Sequence, residues 1–482
     1  MQTRFHKHLF LVTAILFLVA AGFVQRSMDA HRQRLGILTT APGLDGAPPM
    51  LAFTTMALGG FRGLIANALW LRANQMQEED KFFEMVQLSD WITKLQPRMK
   101  QVWLMQAWNM AYNISVKFSD PEDRWRWVQR GFSLLRDEGL RYNPDEALIY
   151  RELGWIFQHK MGASLDDAHY TYKRHWIDEM TQVLGPQRDG YRELLSPKTD
   201  DARARAKLLR EKYKMDPRRM AKADEEYGPL DWRLPEAHAV YWAMLGLEKC
   251  RPSELMPVRR VIYQSMQTSF QRGRLIMNRV NLPPMFGPNL DIIPQVNKAY
   301  EQMMAEDKEN APNIINGHKN FLRQAVFHLY VHNRMREAAA WFKVLCDKYP
   351  NDMWVTFCNR DLETYALQRI AEGAGETDDK KTTSFIEGYL RNAYMDLALD
   401  YDDRADGFLL MARKIYNNYM AKMTDTSQKV RVSLPDYAVI NKTVLDNLLA
   451  PNTNVQAQAF QAVLRVKLGL PAATNAPPVT PK

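Results

Sequence analysis

Cysteine is scarce in this sequence: the chain of 482 residues contains three, at Cys250, Cys346 and Cys358. That number is too small for a disulfide framework, and no two of them stand at the two-residue spacing of a zinc or redox site. We expect all three to be small buried side chains. One disulfide between Cys346 and Cys358, which flank a predicted turn between helices, stays open for an oxidising compartment.

Motifs of known catalytic sites are also lacking. There is no Gly-x-Ser-x-Gly motif, and His169 and His175 do not have the four-residue spacing that lets two metal ligands share a helix face. The acidic residues Asp400, Asp402 and Asp403 begin like a calcium loop but lack its later glycine and glutamate. We interpret them as acidic residues at the start of a helix. The sequence predicts no enzymatic activity, no cofactor and no metal site.

Strict alternation of apolar and polar residues, the pattern of a half-buried β-strand, is hard to find. Apolar residues recur instead at intervals of three and four, and Pro, Gly and Asn-Asp clusters interrupt them. With 46% hydrophobic and 25% charged residues, the chain has the composition of a globular protein that buries a large core. We predict an all-α fold class.

A charge-free apolar run is present near the N-terminus. Residues Leu9 to Val24 carry no charge, and eleven of them are Leu, Ile, Val or Phe. On an insertion scale such a run gains about 3 to 7 kcal/mol in a bilayer. We predict a single-pass membrane anchor, with most of the chain outside the cytoplasm. The alternative is a signal peptide that is cleaved on export.

A second apolar stretch, from Met50 to Leu71, contains Arg62 near its middle. A charged side chain at the bilayer centre costs about 2.5 to 3.5 kcal/mol, which cancels most of what the hydrophobic residues gain. We therefore expect a buried first helix that the chain enters through a glycine-rich bend. A helix lying on the membrane surface is the alternative.

A motif of an aromatic residue, a Leu-Gly pair and a further large residue recurs along the chain. This spacing places the large side chains on one stripe of a helix and a glycine where the next helix must come close. The clearest copies are Tyr150, Leu153, Gly154 and Phe157, and then Trp242, Leu245 and Gly246. The motif predicts pairs of helices that pack through large and small side chains.

The segment Leu322–Pro350 contains a whole helix pair of this kind. Asn333 lies in the predicted turn, Ala338 and Phe342 mark the second helix, and Pro350 ends it. The segment resembles the tetratricopeptide repeat, and the block from Phe61 to Ser115 looks like uncharacterised bacterial membrane-anchored repeat proteins, which implies a bacterial inner membrane for the anchor. The resemblance implies an α-solenoid, but it implies no activity.

Another unit resembling this repeat begins with Trp103 and Ala107. Its interval from Pro97 to Pro144 is longer than the usual repeat. We therefore predict an extended loop over residues 115–127.

Five segments follow from these patterns. We predict an anchor or signal segment (1–30), a linker and entry segment (31–60), a TPR-like helical repeat body (61–370), a C-terminal helical region that caps the stack (371–468) and a flexible tail (469–482).

Four residues beside the predicted loop form the first candidate partner-binding group. Trp125 and Trp127 alternate with Arg124 and Arg126. Most tryptophans of such a fold fill the space between helices. These two are the expected exceptions, because tryptophan beside arginine can hold a ligand through stacking and cation–π contact.

A basic helix is the second candidate. Between Arg203 and Lys222 there are nine Lys or Arg residues against two acidic ones. One face carries Arg203, Lys207, Arg210 and Lys214, and the neighbouring stripe carries Ala202, Ala206, Leu209 and Tyr213. A solvated face is the plain interpretation, and contact with anionic lipid or an acidic partner is the functional one. We expect no nucleic-acid binding, because no reading motif is present.

The sequence thus predicts a membrane-tethered helical-repeat scaffold that mediates protein–protein interaction through a protein or peptide partner. The alternative is an exported helical glycan-binding protein or enzyme with an aromatic-lined cleft, formed by residues such as Trp125 and Trp127.

Overall fold

The computed structural model describes residues 61–276, 284–357, 361–374, 379–422 and 434–471, together with a few helical residues between Thr13 and His31. Helices make up most of this regular structure, which confirms the predicted all-α fold class. No helix within these ranges is both long and apolar enough to cross a bilayer. Most of the predicted anchor, nearly all of the linker, Cys358 and most of the predicted tail lie outside the described residues.

The chain divides into two compact units, each assembled from several segments. Unit 1 comprises Met1–His175, Lys207–Asp216 and Tyr241–Ile262. Unit 2 comprises Trp176–Ala206, Pro217–Val240 and Tyr263–Lys482. The predicted boundary between repeat body and cap, at residue 370, falls inside unit 2.

The helices and strands are numbered here in chain order. The first part of the described chain contains α1 (Phe61–Glu78), α2 (Phe82–Leu95), α3 (Lys100–Trp108), α4 (Pro121–Ser133), α5 (Ala147–Trp155), α6 (His169–Leu184), α7 (Tyr191–Leu195), α8 (Asp200–Glu211), α9 (Pro217–Tyr227), α10 (Pro235–Leu247) and α11 (Leu255–Arg272). The second part contains β1 (Arg274–Ile276), β2 (Met285–Gly287), α12 (Ile293–Glu306), α13 (Ala311–Val331), α14 (Met335–Lys348), α15 (Met353–Phe357), α16 (Leu362–Ala374), α17 (Asp379–Ala398), α18 (Asp402–Lys422), α19 (Tyr437–Leu448) and α20 (Val455–Lys467).

Three helices of unit 1 continue into π-helix at their C-terminal ends. The π segments are Asn109–Ile114 after α3, Leu134–Gly139 after α4 and Ile156–Gly162 after α5. In a π-helix the backbone hydrogen bond spans five residues instead of four, and such turns are frequent at functional sites. The spacing of apolar residues in the sequence did not reveal these π segments, because one π-helical turn places apolar side chains on almost the same face as an α-helical turn does.

The extended loop predicted over residues 115–127 is wrong. Residues Ser115–Lys117 form a 3-10 turn, and α4 begins at Pro121. The side chain of Asp120 accepts a hydrogen bond from the backbone N–H of Glu122 at 3.3 Å, and proline suits the first helical position. The additional residues of this unit therefore lengthen its helices rather than a loop.

Large and small side chains pack the helices of unit 1 as the recurring motif predicts. Trp103 is 1% exposed, and its Nε1 donates a hydrogen bond to the carbonyl oxygen of Pro97 at 2.8 Å. A Cβ atom added to Gly246 of α10 would lie 3.0 Å from the Cβ atom of Tyr150 on α5. The two helices therefore approach so closely at this point that any side chain larger than hydrogen is crowded.

The helix pair predicted over Leu322–Pro350 is present in unit 2. Helices α13 and α14 pack against each other. The turn between them contains Asn333, whose φ of 59° lies in the left-handed region that asparagine tolerates. Ala338 and Phe342 are buried, as their places in the motif predict.

A short β-hairpin in unit 2 was not predicted. Strands β1 and β2 are antiparallel, and Arg274 lies opposite Gly287. The backbone N–H of Leu275 donates to Oδ2 of Asp231 at 3.2 Å, and Asp231 forms a buried ion pair with Arg233 at 2.7 Å. Three-residue strands are too short for alternation to be visible in a sequence. The buried ion pair thus holds β1 in place.

Candidate functional site

Two cavities of unit 2 adjoin each other and share the lining residues Pro288, His332 and Arg404. The first, the polar cavity, has a volume of about 350 Å³ and is lined by four arginines. The second, the apolar cavity, has a volume of about 570 Å³ and is lined mainly by aromatic and aliphatic side chains. Small-molecule sites usually measure about 300 to 1,000 Å³. We call the two together the double cavity.

Two guanidinium groups of the double cavity lie against the same ring. Arg274 is 5.4 Å and Arg404 is 5.1 Å from the ring centroid of Tyr401. Arg404 forms an ion pair with Asp396, with 3.1 Å between Nε and Oδ2. Within the described part of the chain no ion pair is found for Arg274. Arg404 is therefore paired with a carboxylate, whereas Arg274 has no carboxylate of its own among the described residues.

The other two arginines of the polar cavity are compensated. Arg334 forms ion pairs with Asp291 and Glu337, each at 2.7 Å. Arg188 lies 3.9 Å from the same Asp291. Among the described residues, Arg274 is therefore the arginine of the polar cavity that has no ion pair, and Asp403 is a carboxylate of the same lining that has none either.

Burial is the main cause of the pKa shifts at the double cavity. Burial lowers the pKa of His332 to about 4, and the nearby charges of Arg404 and Arg274 act in the same direction. Burial and the charge of Arg274 also lower the pKa of Arg404, against the opposing effect of Asp396. Burial raises the pKa of Asp396. His332 is therefore neutral at pH 7, and the arginines supply the charge.

Aromatic rings form the wall of the apolar cavity. The ring of Phe408 lies 6.0 Å from that of Tyr389 and 5.3 Å from that of His332, measured between centroids. Gly388 of α17 also lines this cavity, and a Cβ atom added to it would have no neighbouring atom within 4 Å. The cavity is therefore open beside Gly388, although its walls are rigid rings.

The double cavity suits a ligand that carries an anionic group next to a large apolar group. Guanidinium groups bind carboxylate and phosphate oxygens through charge-assisted hydrogen bonds. Aromatic walls stabilise an apolar group by removing it from water. Among the described residues, no group of three or more His, Cys, Asp or Glu side chains is arranged to hold a metal ion.

The first predicted binding group lies elsewhere, in unit 1. Trp125 is 6% exposed, and its ring is stacked on those of His175 at 5.5 Å and Tyr172 at 6.2 Å. Trp127 is half-buried. It packs edge to face on Phe83 at 5.7 Å. Trp125 is thus part of the packed interior, as are Trp103, Trp176, Trp232 and Trp242.

The two arginines of this group differ. Arg124 forms ion pairs with Asp166 and Asp167, and Arg126 is exposed and forms an ion pair with Asp123 at 2.6 Å. The role of these four residues in binding a partner stays a prediction.

The second predicted binding group is on α8 and just after it. The stripe that was expected to be buried is buried, with Ala202, Ala206, Leu209 and Tyr213 all at most 3% exposed. The side chains of Arg203, Lys207, Arg210 and Lys214 are exposed. The amphipathic pattern is therefore confirmed, and contact of its basic face with lipid or an acidic partner stays a prediction.

Sequence patterns did not reveal the double cavity. Arg274 follows a helix directly and stands in a strand of three residues, so no periodic pattern marked it. The interpretation of the acidic cluster as the start of a helix is confirmed, because Asp402 and Asp403 lie in the first turn of α18. The neighbouring Tyr401 and Arg404 are the functional candidates of that segment. The only signal of the double cavity in this part of the sequence was a tyrosine followed by two aspartates and an arginine.

Comparison with known proteins gives no match: no family model fits the chain, and no curated protein or solved structure is significantly similar to it. The resemblance to tetratricopeptide repeats stays a prediction from the residues quoted above.

Proposed function

We propose that this chain is a membrane-tethered helical-repeat scaffold that binds a partner protein and carries out no chemistry of its own. The double cavity of unit 2 is its binding site. It takes a peptide segment in which an acidic group lies next to a large apolar side chain. The charge-free run from Leu9 to Val24 supports the tether.

The observation that carries this proposal is the position of Arg274. The guanidinium groups of Arg274 and Arg404 both lie against the ring of Tyr401. Arg274 has no ion-pair partner in the described part of the chain, and it lines the polar cavity, which adjoins the apolar cavity. An exposed arginine beside an aromatic-walled cavity is typical of an interface residue that contributes strongly to binding. Helix-pair repeats commonly present such sites to a peptide or helix.

The glycan alternative relied on an aromatic cleft with residues such as Trp125 and Trp127. Because the ring of Trp125 is buried against Tyr172 and His175, no observation favours that alternative. We do not carry it further.

Peptide selection on the full chain, held in lipid nanodiscs, tests the proposal. We expect selection from a random peptide library to enrich an acidic residue next to Leu, Phe, Trp or Met. Arg274→Glu should weaken the selected peptides about 10- to 100-fold, because a charge-assisted hydrogen bond contributes about 1.5 to 3 kcal/mol. Gly388→Leu should block them by filling the apolar cavity.

Two controls accompany these variants. Arg391→Glu reverses an exposed charge on the same helix as Gly388, outside the lining of the double cavity, and should leave the affinity unchanged. Gly388→Ala keeps the cavity open. Failure to enrich any acidic and apolar motif, or equal binding by Arg274→Glu and Gly388→Leu, contradicts the proposal. If an anionic amphiphile binds and no peptide does, the double cavity is a binding site but the scaffold function is contradicted.

A further inference from the structure

Unit 1 contains a smaller cavity whose described lining includes one carboxylate and no arginine. Its volume is about 250 Å³. This is below the usual range of about 300 to 1,000 Å³ for drug-sized ligands, so it fits a small molecule or a single side chain. Among the described residues that line it, Glu152 is the only ionisable group. A cavity with one carboxylate stands out in a chain with a formal net charge of +9.

The carboxylate of Glu152 has one oxygen occupied and one oxygen without a partner. Glu152 is 7% exposed, and its Oε2 accepts a hydrogen bond from Nη1 of Arg151 at 2.7 Å. Its Oε1 is buried and has no hydrogen-bond donor among the described residues. Buried carboxylate oxygens are nearly always hydrogen-bonded in proteins, so a donor from a ligand would satisfy this acceptor.

A polar and an apolar part of the wall complete the cavity. Asn109 and Asn113 come from the π-helix that follows α3, and Nδ2 of Asn113 donates to Oδ1 of Asn109 at 3.2 Å. The Oδ1 atom of Asn113 then remains as a second acceptor. Met105 and Trp108 supply apolar wall, and the ring of Trp108 is 41% exposed at the cavity. The cavity thus pairs oxygen acceptors with an apolar surface.

We propose that this cavity of unit 1 binds an aliphatic primary ammonium group, with the ammonium on Oε1 of Glu152 and the carbon chain against Met105 and Trp108. A guanidinium group prefers both oxygens of a carboxylate, and Arg151 already occupies one of them. A quaternary ammonium has no N–H to donate. The apolar wall does not suit a hydrated metal ion, but it does suit a methylene chain. The proposal does not depend on the scaffold function.

Ligand-observed NMR on the full chain in nanodiscs tests this inference with n-pentylamine as the probe. We expect saturable binding of pentylamine that is stronger than that of three analogues of the same chain length: pentanol, pentylguanidine and pentyltrimethylammonium. We expect millimolar affinity for so small a ligand, well short of the ceiling that its six non-hydrogen atoms allow. Equal binding of pentanol and pentylamine would overturn the inference, because the carboxylate would then contribute nothing.

Two substitutions act in opposite directions. Glu152→Gln should weaken pentylamine about 10-fold or more, since it replaces a charge-assisted hydrogen bond by a neutral one. Gln77→Glu adds an exposed carboxylate to the lining and should tighten binding about 2- to 5-fold, the effect of an exposed ion pair. Glu138→Gln, an exposed carboxylate of unit 1 that does not line the cavity, is the matched control.

The same ammonium chemistry has two sources, a lysine side chain of a protein and a free alkylamine. Nα-acetyl-lysine amide distinguishes them: binding as strong as that of pentylamine indicates a lysine side chain, and binding of pentylamine alone indicates a free amine. Both results support an ammonium site. Unchanged affinity in Gln77→Glu together with unchanged affinity in a folded Glu152→Gln variant would refute it.

Discussion

The cavities of unit 1 and unit 2 are built from similar material but offer different charged groups to a ligand. Both are lined largely by helical residues, aromatic rings and methionine. The cavity of unit 1 has a buried carboxylate with one oxygen without a donor, whereas the double cavity of unit 2 has Arg274 and Arg404 on a single tyrosine ring. The ligand that each cavity accepts therefore depends on one or two ionisable groups that local ion pairs leave uncompensated.

This difference could not be read from total charge. The strongest concentration of charge in the sequence, between Arg203 and Lys222, lies on an exposed helix face and the segment that follows it. Exposed charges are screened by water and salt, so they contribute little to specific binding. Arg404 lines both parts of the double cavity with a side chain that is 15% exposed, so part of its environment excludes water and its charge is screened less.

The largest expected effect concerns the buried ion pair beneath the double cavity. Arg233→Leu leaves the carboxylate of Asp231 buried without its cation and should lower the free energy of unfolding by about 3 to 5 kcal/mol. Arg203→Leu removes an exposed partner of Asp200 and should cost at most about 1 kcal/mol. Urea unfolding of the purified variants measures both. If Arg233→Leu lowers the free energy of unfolding as little as Arg203→Leu does, the buried ion pair contributes little to the stability of unit 2.

An intermediate effect is expected from acid, and it should differ between the units. In unit 2 burial lowers the pKa of His238, His318 and His332 to about 4 each. The unfolded chain takes up these protons near pH 6.5, so the stability that neutral histidines provide is complete above that pH and is lost as the pH falls towards 4. For the fully buried His238 the loss is about 2 kcal/mol by pH 5.

Unit 1 should respond less to the same change of pH. There, burial lowers the pKa of His159, which costs stability as the pH falls, but burial raises the pKa of Glu152, so the folded state takes up that proton more readily than the unfolded chain and gains stability. Hydrogen exchange measured by mass spectrometry at pH 7.5 and pH 5 reports on each unit separately. We expect peptides of unit 2 to lose protection first, and the reverse order would break the comparison.

The smallest effects come from two glycines in helices. A Cβ atom on Gly131 of unit 1 would lie 2.9 Å from the carbonyl oxygen of Ala107, so Gly131→Ala should destabilise by about 1 to 3 kcal/mol through overpacking. Gly388 of unit 2 faces open space, so Gly388→Ala should stabilise by up to about 1 kcal/mol through helix propensity. Thermal unfolding gives the sign of each change. If both variants are more stable, or both are less stable, than the original chain, the packing described for Gly131 and Gly388 is contradicted.

The helical architecture could be predicted because its signals are local and repeated. The pair of α13 and α14 follows from apolar spacing, a turn at Asn333 and small residues such as Ala338. The start of α4 was missed although Asp120 and Pro121 form a good helix start, because the length of the repeat was given more weight than the local signal.

The candidate sites could not be predicted in the same way. The double cavity combines Arg274 from a short strand, Tyr389 from α17 and Arg404 from α18, which are far apart in the sequence. The ammonium cavity depends on one oxygen of Glu152, and its partner Arg151 is the adjacent residue. Nothing in a linear pattern shows which oxygen of a carboxylate is occupied. Trp125 shows the converse, since a residue that looked functional is part of the packed interior.

Isothermal titration of the full chain with two small probes tests most directly whether uncompensated groups set the ligand of each cavity. The probes are n-pentylamine and 4-phenylbutyrate, and the variants are Glu152→Gln and Arg274→Glu. We predict that Glu152→Gln weakens only the amine and that Arg274→Glu weakens only the carboxylate. Loss of both probes in either variant, or of neither probe in both, would contradict the assignment.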